Sequence, residues 1–200
     1  MCAVDLPLQA GVSSSSAMVV AWMQALARVA DVALTPHELA RWAHKVEVAH
    51  FGEPGGHMDH VASALGGIHR IHPDWRVEPL DVPSEGAWIV VDSGEPKDTR
   101  GHLQRCKVKR LALLETHGGR WADPHALDGF SDWPAEDQAL WQATWHNMQL
   151  EARAAARWEG ADQLAAWMSA HHAALRDGLG LSTPRLESLG DAAMEAGAWG

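Results

Sequence analysis

Tyrosine is missing from this chain, and phenylalanine and cysteine occur twice each. Two thiols, Cys2 and Cys106, are too few for a disulfide framework, which predicts a reducing, cytoplasmic setting. No apolar run is long enough to cross a bilayer, and the N-terminus lacks the basic-then-apolar layout of a signal peptide, so no membrane partner is expected. Basic residues are also scarce. The 16 Lys and Arg against 26 Asp and Glu give a formal net charge of −10 and form no strong patch, which argues against general nucleic-acid binding. An acidic protein that handles phosphates must supply positive charge locally, through amides, a metal ion or one or two basic side chains.

What is abundant is tryptophan, with 11, and histidine, with 13. The tryptophans are scattered through periodic segments, so core and half-buried helix positions account for them more simply than a stacking surface. At 200 residues the chain can form one compact domain or two small ones with a real core.

Residues 1–8 have the character of a strand tail ending at Pro7. Met18, Val19, Trp22, Met23, Leu26 and Val29 recur at helical spacing, which predicts a helix over 14–30 capped by the serine cluster before it. Thr35, Pro36 and Glu38 form a second helix start with a capping box, and Leu39, Trp42, Ala43 and Val46 follow at helical spacing. Phe51 to Gly56 is a loop of breakers, and Met58, Val61, Ala62 and Leu65 predict a helix ended by Gly66 and Gly67. Strand character follows: Ile68, Arg70 and His72 alternate, then come Val77, Leu80 and Val82, and Trp88 to Val91 has the pattern of a buried strand. Further helices are expected over 100–116, 135–158, 160–177 and 184–197, with a loop-rich stretch between His117 and Asp137. A soft boundary falls near 125.

Two segments carry chemistry. The first is Gly11-Val12-Ser13-Ser14-Ser15-Ser16, a Gly/Ser turn that feeds a helix. The first amides of a helix have no intrahelical partner and sit at the positive end of its dipole, so such a turn suits phosphate. Gly11 permits close backbone approach, and a serine hydroxyl can ligate Mg²⁺. The ordinary alternative is a plain N-cap; the Gly-Lys-Ser/Thr ending of a Walker A loop is absent. The second segment runs from Glu47 to His60. Glu47 stands near a helix C-terminus, where the dipole disfavours it, and Asp59 stands at the next helix start. Asp59 is either a cap or a carboxylate that faces a substrate hydroxyl, with Glu47 helping to hold Mg²⁺. His50, His57, Asp59 and His60 also form a cluster suited to Zn²⁺, with no second compact ligand pair beside it. Cys106 lies between Arg105 and Lys107 with no neighbouring base and is expected to be a packed thiol.

Together the two segments resemble the GHMP kinase superfamily, most closely its galactokinase branch. The phosphate loop of that branch has the form Pro-x-Gly-Ala-Gly-Leu-Ser-Ser-Ser-Ala, and this chain keeps Pro7, Ala10, Gly11, Ser13, Ser14 and Ser15. Its catalytic segment has the form Glu-x-x-Phe-x-Gly-x-x-x-Gly-x-Met-Asp-Gln, and this chain keeps Glu47, Gly52, Gly56, Met58 and Asp59 at that spacing. Gln9, Val12, His50 and His60 replace the usual Gly, Leu, Phe and Gln. Weaker similarity continues through Trp167 to Asp177 and Leu181 to Leu189. The family's first motif and its final glycine-rich motif have no counterpart here.

The resemblance implies an α+β fold: a two-layer α/β domain over 1–125, incomplete at its start, then a partial, mainly helical domain over 126–200. It implies ATP and Mg²⁺ as cofactors. Asp59 would be the catalytic aspartate, Ser15 and Glu47 the Mg²⁺ ligands, and Gly11, Val12, Ser13, Ser14, Ser15 and Ser16 the wrap around the triphosphate. Gly56 and Asp59 would approach the substrate. The implied activity is phosphorylation of a hydroxyl on a small sugar or related alcohol. The rival expectation is a truncated, inactive relative that binds nucleotide weakly or associates through the edge left by the missing first segment.

Overall fold

A capping box starts the helix Pro36–His44, named α2. Thr35 Oγ1 accepts from the Glu38 amide at 3.2 Å, the Thr35 amide donates to Glu38 Oε2 at 2.8 Å, and Pro36 occupies the first helical position. This start, legible in the residue pattern, belongs to α2 in a computed structural model that describes residues 6, 10–52, 55–81, 86–95, 99–156 and 159–200, with backbone alone for 99–100 and 102–105. The strand tail expected over 1–8 falls outside these residues apart from Leu6, as does Val82.

Among the described residues the fold is mostly helical, with one two-stranded sheet. Two compact units are present, Met1–Val82 with Gly94–Arg100, and Pro83–Ser93 with Gly101–Gly200.

In the first unit, α1 (Ser14–Val29), α2 (Pro36–His44) and α3 (Met58–Leu65) pack on one another. Val20, Leu39 and Ala43 form the centre, with Val19, Met23, Leu34 and Ala64 against them. Of the apolar stripe expected on α1, only Val19 and Met23 turn inward, beside the buried Val20 that the stripe did not include; Met18, Trp22, Leu26 and Val29 remain exposed. That helix is apolar on two faces, and α2 and α3 cover one of them. The α2 helix runs on into a π-helical turn, Lys45–Ala49, that carries Glu47. The α3 helix ends at Gly66, whose φ of 65° lies in the region that favours glycine.

Strands β1 (His69–Ile71) and β2 (Val77–Pro79) pair antiparallel, with Arg70 opposite Glu78. Their turn carries Trp75 at φ 70°, an unusual conformation for a bulky residue. Asp74 Oδ1 supports the turn by accepting from the Arg76 amide at 3.1 Å. The expected strand over Trp88 to Val91 does not form: all four residues are exposed and irregular. An apolar run becomes a strand only when another strand supplies hydrogen-bond partners, and none does so among the described residues.

The second unit holds most of α4 (Thr99–Thr116), with α5 (Ala135–Ala156), α6 (Ala161–Ala173) and α7 (Pro184–Glu195). Fully buried Trp141 anchors it, packed by Trp121, Trp133 and His117, with its indole N–H donating to the Ala122 carbonyl at 3.0 Å. The π-helical turn Ala174–Gly178 follows α6 and packs on α5 so closely that a Cβ at Gly178 would lie 2.2 Å from that of Ala143. Cys106 is a half-buried free thiol. Tryptophan is less uniformly internal than expected, since Trp22, Trp42, Trp88 and Trp199 are exposed.

Glu187 gathers Ser182, Arg176 and His172 around its carboxylate. The Ser182 hydroxyl first, then Arg176 and His172, pull its pKa down to about 2 from 4.5. The lowered folded value means that this network's stabilisation is present above 4.5 and is lost as pH falls through about 2. An NMR carboxyl titration should show that midpoint, and Arg176→Ala should move it toward 4.5. Thr35→Ala should cost about 1 kcal/mol of stability in a urea unfolding series, because it removes the Oγ1 that accepts from the Glu38 amide while leaving the backbone bond from residue 35 to Glu38 in place.

Candidate active site

The serine segment begins with an open glycine. Gly11 has φ 81°, and nothing lies within 4 Å of where its Cβ would be. Val12 and Ser15 are exposed, Ser13 and Ser14 half-buried, and Ser16 buried. The expected serine cap does not form. Ser13 occupies the N-cap position at φ 57°, ψ 34°, and its side chain makes no capping bond. A capping hydroxyl needs extended backbone to swing back toward the second and third helical amides, and the left-handed conformation withholds that. The first backbone bond into α1 runs from the Ala17 amide to the Ser13 carbonyl at 3.0 Å. The amides of Ser14, Ser15 and Ser16 therefore have no acceptor among the described residues, which is the donor array an anion needs.

Asp59 is the second residue of α3 and is half-buried. It makes no hydrogen bond among the described residues, and His57 at the N-cap makes no side-chain cap either. A capping role is therefore not what places a carboxylate here. Gly56 is exposed, with open space where a Cβ would stand. Nothing described around it demands glycine on steric grounds.

Glu47 has a partner that the sequence did not reveal. Its Oε2 accepts from His60 Nε2 at 2.7 Å, while His60 itself is 1% exposed. Since a carboxylate only accepts, Nε2 carries the proton in this bond. His60 Nδ1 has no partner among the described residues. Around this pair the rings of three elements meet. His44, the last residue of α2, stands edge-on to His60 at 5.3 Å and to His57 at 6.2 Å. Trp75 stacks on His57 at 4.1 Å, under the Arg41 guanidinium at 4.6 Å. The stack holds Trp75 in its strained turn conformation. His57 Nε2 donates to the His72 carbonyl at 3.0 Å, which ties the start of α3 to the hairpin.

The histidine group thus comprises His44, His57 and His60. His50, expected with them, instead packs on Phe51 at the surface. Among the described residues no group of three or more His, Cys, Asp and Glu side chains is disposed to hold a metal ion. Mg²⁺ on a nucleotide asks less of the protein, one or two oxygen donors with the phosphates and waters supplying the rest. The exposed Ser15 hydroxyl and the Glu47 oxygen not engaged by His60 fit that requirement chemically.

The chain path relates the two segments. The Ala30–Thr35 connection turns the chain back, so α2 packs against α1. The end of α2 meets the start of α3 through His44, His57 and His60, while Ala64 near the end of α3 joins the Leu39 cluster. The α2 and α3 helices are thus in contact both at the His44, His57 and His60 rings and at the cluster of Leu39 and Ala43.

Residues 2–67 match the family described as GHMP kinases N terminal domain. The galactokinase of Haemophilus influenzae (strain PittEE) is 28% identical over 203 aligned residues, covering 92% of this chain and 52% of that protein. The mevalonate kinase of Thermococcus gammatolerans is 29% identical over 201, covering 98% and 53%. That of Thermococcus sibiricus is 42% identical over 64, covering 32% and 19%. The chain spans about half the length of the first two relatives. No solved structure matches it significantly.

Burial first, then the nearby His60 and His57, lowers the pKa of His44 below 6.5, with Glu47 opposing. Between the folded value and 6.5 the unfolded chain binds more protons, so stability is present above 6.5 and falls as the pH drops toward the folded value. Thermal unfolding followed from about pH 8 to about pH 5 should show this decline, and His44→Gln should flatten it.

Proposed function

The chain is a relative of the GHMP kinases, matched by their N-terminal domain over residues 2–67, and we propose that it is an ATP-dependent kinase acting on a hydroxyl of a sugar or related alcohol. A galactokinase and mevalonate kinases among the relatives support that breadth of acceptor. Residues 1–125 are assigned to a two-layer N-terminal-type domain and 126–200 to a mainly helical C-terminal-type domain. The two cysteines favour a cytoplasmic setting, and among the described residues no helix is long and apolar enough to cross a membrane.

The single observation that carries the proposal is that unsatisfied polar groups stand at two helix starts. The first amides of α1 lack acceptors, and the Asp59 carboxylate on α3 lacks a hydrogen-bond partner, among the described residues. Both helices pack on α2, which follows α1 after a short connection, and they also pack on each other. That path is consistent with the two starts lying at one end of the helical trio.

In the proposed mechanism the Gly11 to Ser16 backbone and hydroxyls, Val12 included, wrap the triphosphate. Ser15 and Glu47 would hold Mg²⁺, which when bound neutralises phosphate charge. Gly56 leaves room for the acceptor, whose hydroxyl faces Asp59. As the acceptor oxygen bonds to the γ-phosphorus, its proton passes to the Asp59 carboxylate. The bond from phosphorus to the departing ADP oxygen breaks. Apart from that transfer, the protein contributes position and charge stabilisation.

ATP with Mg²⁺ should raise the melting temperature, by an amount equivalent to about 2.7 kcal/mol at 100-fold excess over Kd. Asp59→Asn should retain that rise and lose about 10²- to 10⁴-fold in phosphoryl transfer to a sugar or alcohol acceptor. No rise at millimolar ATP would refute nucleotide binding by this protein, and undiminished transfer by Asp59→Asn would remove Asp59 from the mechanism.

A further inference from the structure

We propose that His60 is a positioning residue, its imidazole holding one oxygen of Glu47 so that the other stays available to a divalent cation on bound nucleotide. The assignment rests on the kinase function proposed above and adds to it a residue that acts through Glu47.

The Glu47 side chain is partly solvent-exposed and projects from a π-helical turn, a segment wider than the regular helix before it. A glutamate there has several rotamers open to it, and ordering it carries an entropic cost. His60 meets that cost in advance. Its ring is almost wholly buried on α3, edge-packed by His44, and 2.7 Å from Glu47 Oε2. With Nδ1 unpartnered among the described residues, the bond to Glu47 is the ring's one polar anchor. The His44 ring also contacts Trp75, and the Trp75 ring contacts His57, so the imidazole sits inside a packed group drawn from α2, α3 and the hairpin turn. A buried donor that fixes one carboxylate oxygen is the arrangement that orients ligands in metal sites generally. Glu47 Oε1 makes no hydrogen bond among the described residues.

The test is the Mg²⁺ concentration needed for ATP to raise the melting temperature of the 200-residue chain, compared with the rise given by ATP in EDTA. His60→Leu, which fills the site but cannot donate, should need about tenfold more Mg²⁺ while its rise in EDTA stays unchanged. His60→Gln, whose amide can donate, should remain within about threefold of the wild type. Adding His60→Leu to Glu47→Ala should leave the requirement where Glu47→Ala alone puts it, because the histidine acts through the glutamate. If His60→Leu does not fold, His60→Met, an unbranched side chain that also lacks a donor, carries the same expectation. An unchanged Mg²⁺ requirement in the non-donating variants overturns the positioning role while the kinase reading stands. Absence of any ATP-dependent rise in the wild type overturns the kinase reading, and the positioning role with it.

Discussion

The hydrogen bond between His60 and Glu47 joins the turn that follows α2 to the first turn of α3. These are the two ends of the segment in which the candidate acidic residues lie. Ala40 and Ala43 are fully buried on α2, as is Val61 on α3, so small side chains let the helices approach closely. Close packing leaves the His60 ring no alternative position. The direction of the Glu47 carboxylate and the setting of Asp59 one residue before the histidine both follow from that restriction. The hairpin adds a second tie, because Trp75 stacked on His57 and the His57 bond to the His72 carbonyl hold the N-cap of α3 in place.

The two units are stabilised differently. The first relies on small aliphatic contacts and a ring cluster, and it leaves Met18, Trp22, Leu26 and Val29 exposed along α1. The second is organised by one fully buried indole with aromatic neighbours, and by a glycine that admits a close crossing beside Ala143. Tryptophan thus serves as a core residue in one place and a surface residue in others. Its abundance alone did not distinguish the two.

Much of the helical frame was legible because its signals are local. Thr35, Pro36 and Glu38 interact within one turn, and Gly66 ends α3 through its own backbone freedom. The Trp88 to Val91 stretch misled because strand formation depends on a remote partner. The serine cap misled because a capping hydroxyl works only from extended backbone, and Ser13 is left-handed. The Glu47 partner was missed because no residue pattern signals which of 13 histidines will be buried against which carboxylate.

The order of residues by itself determined where α1, α2 and α3 begin, where Asp59 falls on the last of these, and the family to which residues 2–67 are related. Caps, prolines, glycines and fixed motif spacings act over a few residues and need no knowledge of the rest of the chain. Tertiary structure alone decided that His44, His57, His60 and Trp75 share one cluster, that one face of α1 is covered and the other is not, and that Glu47 is held by an imidazole. Each of these depends on which surfaces meet when the helices pack, a non-local outcome of burying apolar area and satisfying the polar groups buried with it.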